Sequence, residues 1–302
     1  MNTPSNIPHN SLLASQAPPP ATLSVTRPFY WSVRRELWEY RSIYVVPLAV
    51  AAVMLFGFLI VGVGRAMSLT DPAQRAAVLA EPNDFAALLI MGTTFVVGIF
   101  YCLDALHGER RDRSILFWKS LPVSDLTTVL SKASIPLVVL PLFTFAIIVA
   151  TQLIMLLLGS AVLRGSGLSV TPHMSFFQMS GDLLYHLVTV HALWYAPIYC
   201  WLLLVSGWAR RAAFLWAALP IFAIGIIEKI VFGTSHFVGL LGYRISGPEA
   251  YNVTVQSGDQ MYSMATLGLG KFLSTPGLWI GLALAALFLA AAVRLRRYRE
   301  PI

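Results

Sequence analysis

Charge is scarce in this chain. Asp, Glu, Lys and Arg make up 12% of its 302 residues, about half their share in soluble proteins. With 57% hydrophobic residues and a mean hydropathy of +0.71, that scarcity excludes an ordinary pair of soluble domains of the same length. Cysteine is almost missing too. Cys102 and Cys200 both fall in apolar runs, so they form neither a disulfide framework nor a CxxC metal site. No GxxxxGK[ST] phosphate loop occurs; Gly268-Leu269-Gly270-Lys271 lacks the first Gly, the spacing and the hydroxyl. ATP hydrolysis is therefore not expected on this chain. Neither a tandem repeat nor the basic and apolar stretches of a cleaved signal peptide is visible. The apolar runs are continuous rather than alternating, which argues against a membrane barrel.

What the chain has is six apolar runs, at 43–64, 85–106, 133–158, 184–206, 212–232 and 276–293. Crossing a hydrocarbon core takes about 20 helical residues, so these predict an all-α integral membrane fold with six transmembrane helices. The basic residues set an orientation. Residues 27–41, 107–132, 207–211 and 294–299 hold 15 of the 21 Lys and Arg. The positive-inside rule places that side, and with it both termini, in the cytoplasm. The net charge of +7 and pI near 9.6 then reflect membrane topology. No nucleic-acid partner is expected, because no soluble fold carries a basic face.

Residues 1–26, with Pro18-Pro19-Pro20 among Asn, Ser and Thr, read as a disordered leader. Residues 27–42 predict an amphipathic interfacial helix, with Tyr30, Val33, Leu37, Tyr40 and Tyr44 as its apolar stripe in the lipid headgroup layer. The six-span domain would cover 43–302. Its outer segment 233–275 contains two apolar pieces, 237–242 and 261–273, too short to cross. They predict short or re-entrant helices before the sixth span, tolerated where protein or water covers their ends.

Residues 107–132, HGERRDRSILFWKSLPVSDLTTVLSK, form a charged knot between two apolar stretches, 85–103 and 133–163, that contain no Asp, Glu, Lys or Arg. Glu109, Arg110, Arg111, Asp112 and Arg113 are a mixed-sign cluster, and Ile115, Leu116, Phe117 and Trp118 are an apolar patch too short to span. Pro122 breaks the chain, and Ser124 is the N-cap of the next helix, with Asp125 in its first turn. Two readings stay open from these residues. Aromatics and Arg presented to water suit a docked protein; the same residues also suit a topogenic role, with Arg stopping the second span and Trp118 in the aromatic belt.

The order Glu109-Arg110-Arg111, Ser114-Ile115-Leu116, Leu121-Pro122-Val123-Ser124 and Ser131-Lys132 resembles the cytoplasmic loop of type 2 permeases of ATP-binding cassette (ABC) transporters. Those permeases usually carry Gly where this chain has Arg113, and Thr where it has Leu121. The overall layout is similar too: an interfacial helix, six spans and short outer helices before the sixth. The resemblance implies a coupling helix within 109–124, seated in a cleft of a separate ATP-binding subunit. Glu109, Arg110, Arg111, Asp112 and Arg113 would bind that subunit; Ile115, Phe117 and Trp118 would fill its cleft, with Pro122 and Ser124 making the turn. It further implies that ATP and Mg lie on that partner, that no cofactor or metal resides in this chain, and that a second permease copy, identical or related, completes the path. The setting implied is the bacterial cytoplasmic (inner) membrane, and the direction is export. Because the spans are apolar, the cargo expected is amphipathic or lipophilic.

A competing constellation lies within the spans. Asp182 and His186 lie at the outer end of the fourth run, His191 further in, and Glu228 and Lys229 at the outer end of the fifth. Ionisable residues at such depth mark candidate sites, so the alternative function is a membrane-embedded enzyme or metal-binding protein using Asp182, His186 and His191. The spacing is unfavourable, since His186 and His191 are five apart and do not share a helix face as the HExxH pair does. Interhelical hydrogen bonding is the simpler expectation. Ser235 beside His236 has no Gly-x-Ser-x-Gly elbow around it, which speaks against a hydrolase.

Overall fold

A computed structural model describes residues 26–120, 123–164, 176–254 and 269–298, with the side chains of 26, 118–120, 248–254 and 269 outside that description. Every element among the described residues is helical. In chain order they are α1 (Thr26–Glu39), α2 (Ser42–Gly57), α3 (Val63–Ser68), α4 (Pro72–Ala105), α5 (His107–Arg111), α6 (Ser114–Ser120), α7 (Asp125–Ser134), α8 (Leu140–Val162), α9 (Phe176–His186), α10 (Ala196–Trp208), α11 (Ala213–Phe232), α12 (His236–Thr254), α13 (Leu269–Ser274) and α14 (Pro276–Tyr298). Wider π-type turns link α2 to α3 at Phe58–Gly62, α7 to α8 at Ile135–Val139, and α9 to α10 at Leu187–Trp194.

The caps follow from the residues at the ends. Asp71 accepts from Ala73 N at 3.0 Å, with Pro72 opening α4, where its missing N–H costs nothing. Ser124 accepts from Thr127 N at 3.0 Å, so the expected N-cap of α7 is in place. α11 ends on Gly233, whose φ of 66° suits a residue without Cβ. Gly247, at φ 84°, breaks α12. A bend of 43° at Tyr195, just before Pro197, divides the fourth apolar run. Proline removes a ladder bond, and the π-type turns beside it absorb the mismatch.

Five continuous rods are long and apolar enough to cross a membrane: Ser42–Ser68, Pro72–Arg111, Asp125–Val162, Ala213–Phe232 and Pro276–Tyr298. The bent pair Phe176–Trp194 and Ala196–Trp208 makes a sixth if it crosses as one. This is a multi-pass membrane protein by length and composition. Large apolar side chains cover its exterior, among them Val53, Phe56, Phe100, Leu157, Phe222 and Ile230. In water such a surface would aggregate; in lipid it is solvated.

α10 is the hub. Tyr199, Leu203 and Val205 pack with Tyr101, Cys102, Leu140 and Ile43 in the largest core cluster. Cys200 meets Ala285 of α14. Thr144 Oγ1 donates to Thr94 Oγ1 at 3.1 Å, tying α8 to α4. In α11, by contrast, only Ala213 and Ala217 are buried. Most of its remaining apolar side chains, Phe222, Ile226 and Ile230 among them, are exposed among the described residues.

The apolar stripe of α1 does not lie where the periodicity suggested. Val33, Leu37 and Tyr40 pack against the protein core rather than facing outward, and Tyr30 is exposed. Trp31 and Trp38 instead form the open face. Glu36 explains the rotation. It sits between Val33 and Tyr40 on the same stripe, is fully buried, and can be so only where cations from the bundle reach it. The outer piece 237–242 is helical within α12, whereas most of 261–273 lies outside the described residues.

Candidate functional site

Three carboxylates and three cations meet at the basic-rich end of the bundle. Glu36 of α1 takes Lys132 Nζ at 2.8 Å and the Tyr101 hydroxyl at 3.0 Å, and also pairs with its neighbour Arg35. Glu109 of α5 accepts from Arg35 Nη2 at 2.9 Å and lies 3.1 Å from Lys132 Nζ; its second oxygen takes Arg296 Nη1. Arg296 Nε then reaches Asp125 at 3.2 Å. Glu36, Glu109, Lys132 and Arg296 are all buried. One charge cluster thus joins α1, α5, α7 and α14.

Its energetics favour arrangement over raw stability. Burying an ion costs several kcal/mol, and attraction repays this only when each charge is matched and its remaining donors are satisfied. Here Lys132 lies between two carboxylates and Glu109 among three cations, so removing one member strands the others. Arg35 shows the balance: burial alone would lower its pKa, but the Glu36 and Glu109 carboxylates outweigh that and raise it. The pKa of Glu39 is raised, by desolvation beside the protein and by the nearby Glu36 carboxylate. Nearby, Tyr40 OH donates to Asp104 at 3.0 Å, anchoring the end of α1 to α4.

The start of the 107–132 segment is fastened to the turn after α10. Leu106 N and His107 N both donate to Ser206 Oγ, at 3.0 and 2.8 Å. Arg110 Nη1 donates to the carbonyls of Gly207 and Ala209 at 2.9 and 3.2 Å. A guanidinium there satisfies carbonyls at a helix C-terminus and matches the negative end of its dipole.

The segment therefore divides. Glu109, Arg110 and Ile115 face inward, whereas Arg111, Asp112, Arg113, Leu116 and Phe117 are exposed. Arg111 and Asp112 pair with each other at 3.2 Å. Arg113 adopts φ 58°, a left-handed conformation costly to any residue with a Cβ. That is the position where the resembled permeases carry Gly. The side chain of Trp118, and all of Pro122, lie outside the described residues.

The intramembrane candidates do not share one site. His191 is buried in an aromatic setting, its Nε2 3.2 Å from the Tyr199 hydroxyl, with Phe95 and Tyr195 beside it. Asp182 and His186 are each only half-buried on α9. Among the described residues no three His, Cys, Asp or Glu gather closely enough to hold a metal ion. Glu228 caps α12: it accepts from Thr234 Oγ1 at 2.8 Å, His236 N at 2.7 Å and Phe237 N at 2.8 Å. Lys229 is exposed. These contacts are those of helix ends and packing.

Residue patterning missed several partners. Glu36 and Arg296 were visible only as members of polar or basic sets, and Lys132 only as the end of the 107–132 motif, although Glu36 falls on the apolar stripe of α1 and so carried a signal. Arg244 gave none. Its guanidinium stacks 4.3 Å over Trp194 and donates to the Gly277 carbonyl at 2.9 Å, while its own carbonyl accepts from Trp194 Nε1 at 3.0 Å. A Cβ at Gly281 would stand 1.8 Å from Arg244 Nη2, so Gly leaves room for the guanidinium in this position. This latch holds α12 against the bent fourth run and α14.

No family model, curated protein or solved structure matches the chain.

Proposed function

We propose that this protein is the membrane-spanning permease subunit of an ATP-driven transporter of the ABC type 2 class. In this reading 107–124 couples it to a separate ATP-binding subunit, which carries ATP and Mg. Two permease copies pair, and the cargo is amphipathic or lipophilic and leaves the cell. The observation that carries the reading is the division of the 107–117 segment. An outward face of Arg111, Asp112, Leu116 and Phe117 is mounted on a base fixed to α1, α7, α10 and α14 by buried charges and carbonyl contacts. A push on such a face passes directly to transmembrane helices, because the packed base moves as a unit. An exposed mixed-charge pair beside an aromatic is also the chemistry of an interface anchor. The bare side of α11 suits lipid or the second copy.

The test is reconstitution with the ATPase encoded beside this chain. That neighbour should contain GxxxxGK[ST] and co-purify with it, and amphipathic compounds should stimulate its ATP turnover in proteoliposomes. An ATPase that neither binds this chain nor responds to it would defeat the reading. Stimulation by strongly hydrophilic solutes alone would defeat the cargo class.

A further inference from the structure

The outward face of α1 carries a series of side chains that the charge cluster does not use. Arg27, Trp31, Arg34 and Trp38 follow one another at spacings of four, three and four, which puts them on one stripe of the helix. Glu36 lies on the opposite side. Trp31 and Trp38 are 57% and 67% exposed. The Arg34 guanidinium sits 5.2 Å from the Trp31 ring centroid and 4.8 Å from that of Trp38. Among the described residues it has no ion pair or hydrogen bond. Stacking on ring faces orients a guanidinium and leaves its in-plane N–H donors for other acceptors. The exposed acid of α1, Glu39, is turned to Arg35 at 3.8 Å. Arg41, seven residues beyond Arg34, is exposed at the entry to α2.

We infer that this stripe binds the phosphates of anionic phospholipids in the leaflet that the first span enters, with Arg34, held between Trp31 and Trp38, as the principal contact. Charge complementarity favours that occupant: three arginines face outward, and the stripe carries no acid. Continuity favours it as well. Ser42 opens the first spanning rod only three residues after Glu39, so the end of α1 that carries Arg34 and Trp38 lies next to the headgroup layer. Indole rings and Arg side chains are the groups that partition into that layer. A planar guanidinium offers two parallel donors to a phosphate. The assignment needs only the membrane setting, not the transport reading, and either can fail alone.

The test uses the purified full-length chain in non-ionic detergent. Thermal melting is followed against dioctanoyl phosphatidylglycerol, dioctanoyl phosphatidylcholine and inorganic phosphate. The anionic lipid should stabilise the wild-type chain at lower concentration than the zwitterionic one, and inorganic phosphate should do nothing. Arg34→Gln should require about five-fold more anionic lipid, the worth of one basic residue at an anionic surface. Its melting temperature without lipid should change little, since the Arg34 side chain makes only exposed ring contacts with Trp31 and Trp38 and no ion pair or hydrogen bond among the described residues. Combined Trp31→Ala and Trp38→Ala should weaken the response similarly. An unchanged lipid response in Arg34→Gln overturns the assignment, and so does equal stabilisation by both lipids. Stabilisation by inorganic phosphate would mean a small-anion site instead. Loss of a soluble partner subunit from these variants, with the lipid response intact, would make the face a protein interface and equally overturn it.

Discussion

Lys132 Nζ lies 2.8 Å from a carboxylate oxygen of Glu36, 96 residues earlier in the chain, and both side chains are buried. The same ammonium stands 3.1 Å from Glu109. One cation thereby connects the helix before the first span, the segment after the second span and the start of the third.

Removing that cation should be costly. Lys132→Met keeps the volume but leaves Glu36 and Glu109 facing each other with less compensation, a loss of about 3–5 kcal/mol for a buried pair. The expected outcome is a marked fall in melting temperature and in folded yield from detergent extracts. Adding Glu36→Gln to Lys132→Met should recover part of the loss, because the stranded charge is removed. A double-mutant cycle with no coupling would show that the pair does not act as one unit.

Adjacent arginines should behave differently. Arg110→Ala deprives the Gly207 and Ala209 carbonyls of their buried donor, which costs about 1–3 kcal/mol of stability. Arg111→Ala removes only an exposed side chain paired with Asp112 and should leave the melting temperature within about 0.5 kcal/mol of wild type. Under the transport reading, Arg111→Ala instead weakens capture of the ATP-binding subunit, measured by co-purification. Equal loss of stability in both variants would contradict the inward–outward division.

Arg113 offers a gain. Its φ of 58° costs a residue with a Cβ about 1–2 kcal/mol, so Arg113→Gly should relieve strain, offset in part by the greater freedom of Gly in the unfolded chain. A net stabilisation of up to about 1 kcal/mol is expected in a thermal or denaturant melt, with partner binding retained. A destabilised Arg113→Gly variant would mean that the Arg side chain contributes contacts outweighing the strain.

Length and apolarity of the runs determined the helical, membrane-spanning character, because a bilayer demands about 20 apolar residues per crossing whatever the packing. The Ser124 cap was equally legible, since it depends on neighbours within one turn. The bend at Tyr195 was not read from the sequence, which gave one continuous run at 184–206: a proline such as Pro197 is tolerated within a span, and the π-type turns from Leu187 to Trp194 arise from how that run packs. Which face of α1 points inward depended on Glu36 meeting Lys132. Which residues of 107–117 are available to a partner depended on Arg110 reaching the carbonyls after α10, and the latch on α12 depended on Arg244 finding Trp194 and Gly277. Contacts between residues 33 to 187 positions apart leave no local periodicity to read. A charged side chain looks the same in sequence whether water or a buried counter-charge solvates it, and only the tertiary structure decided which.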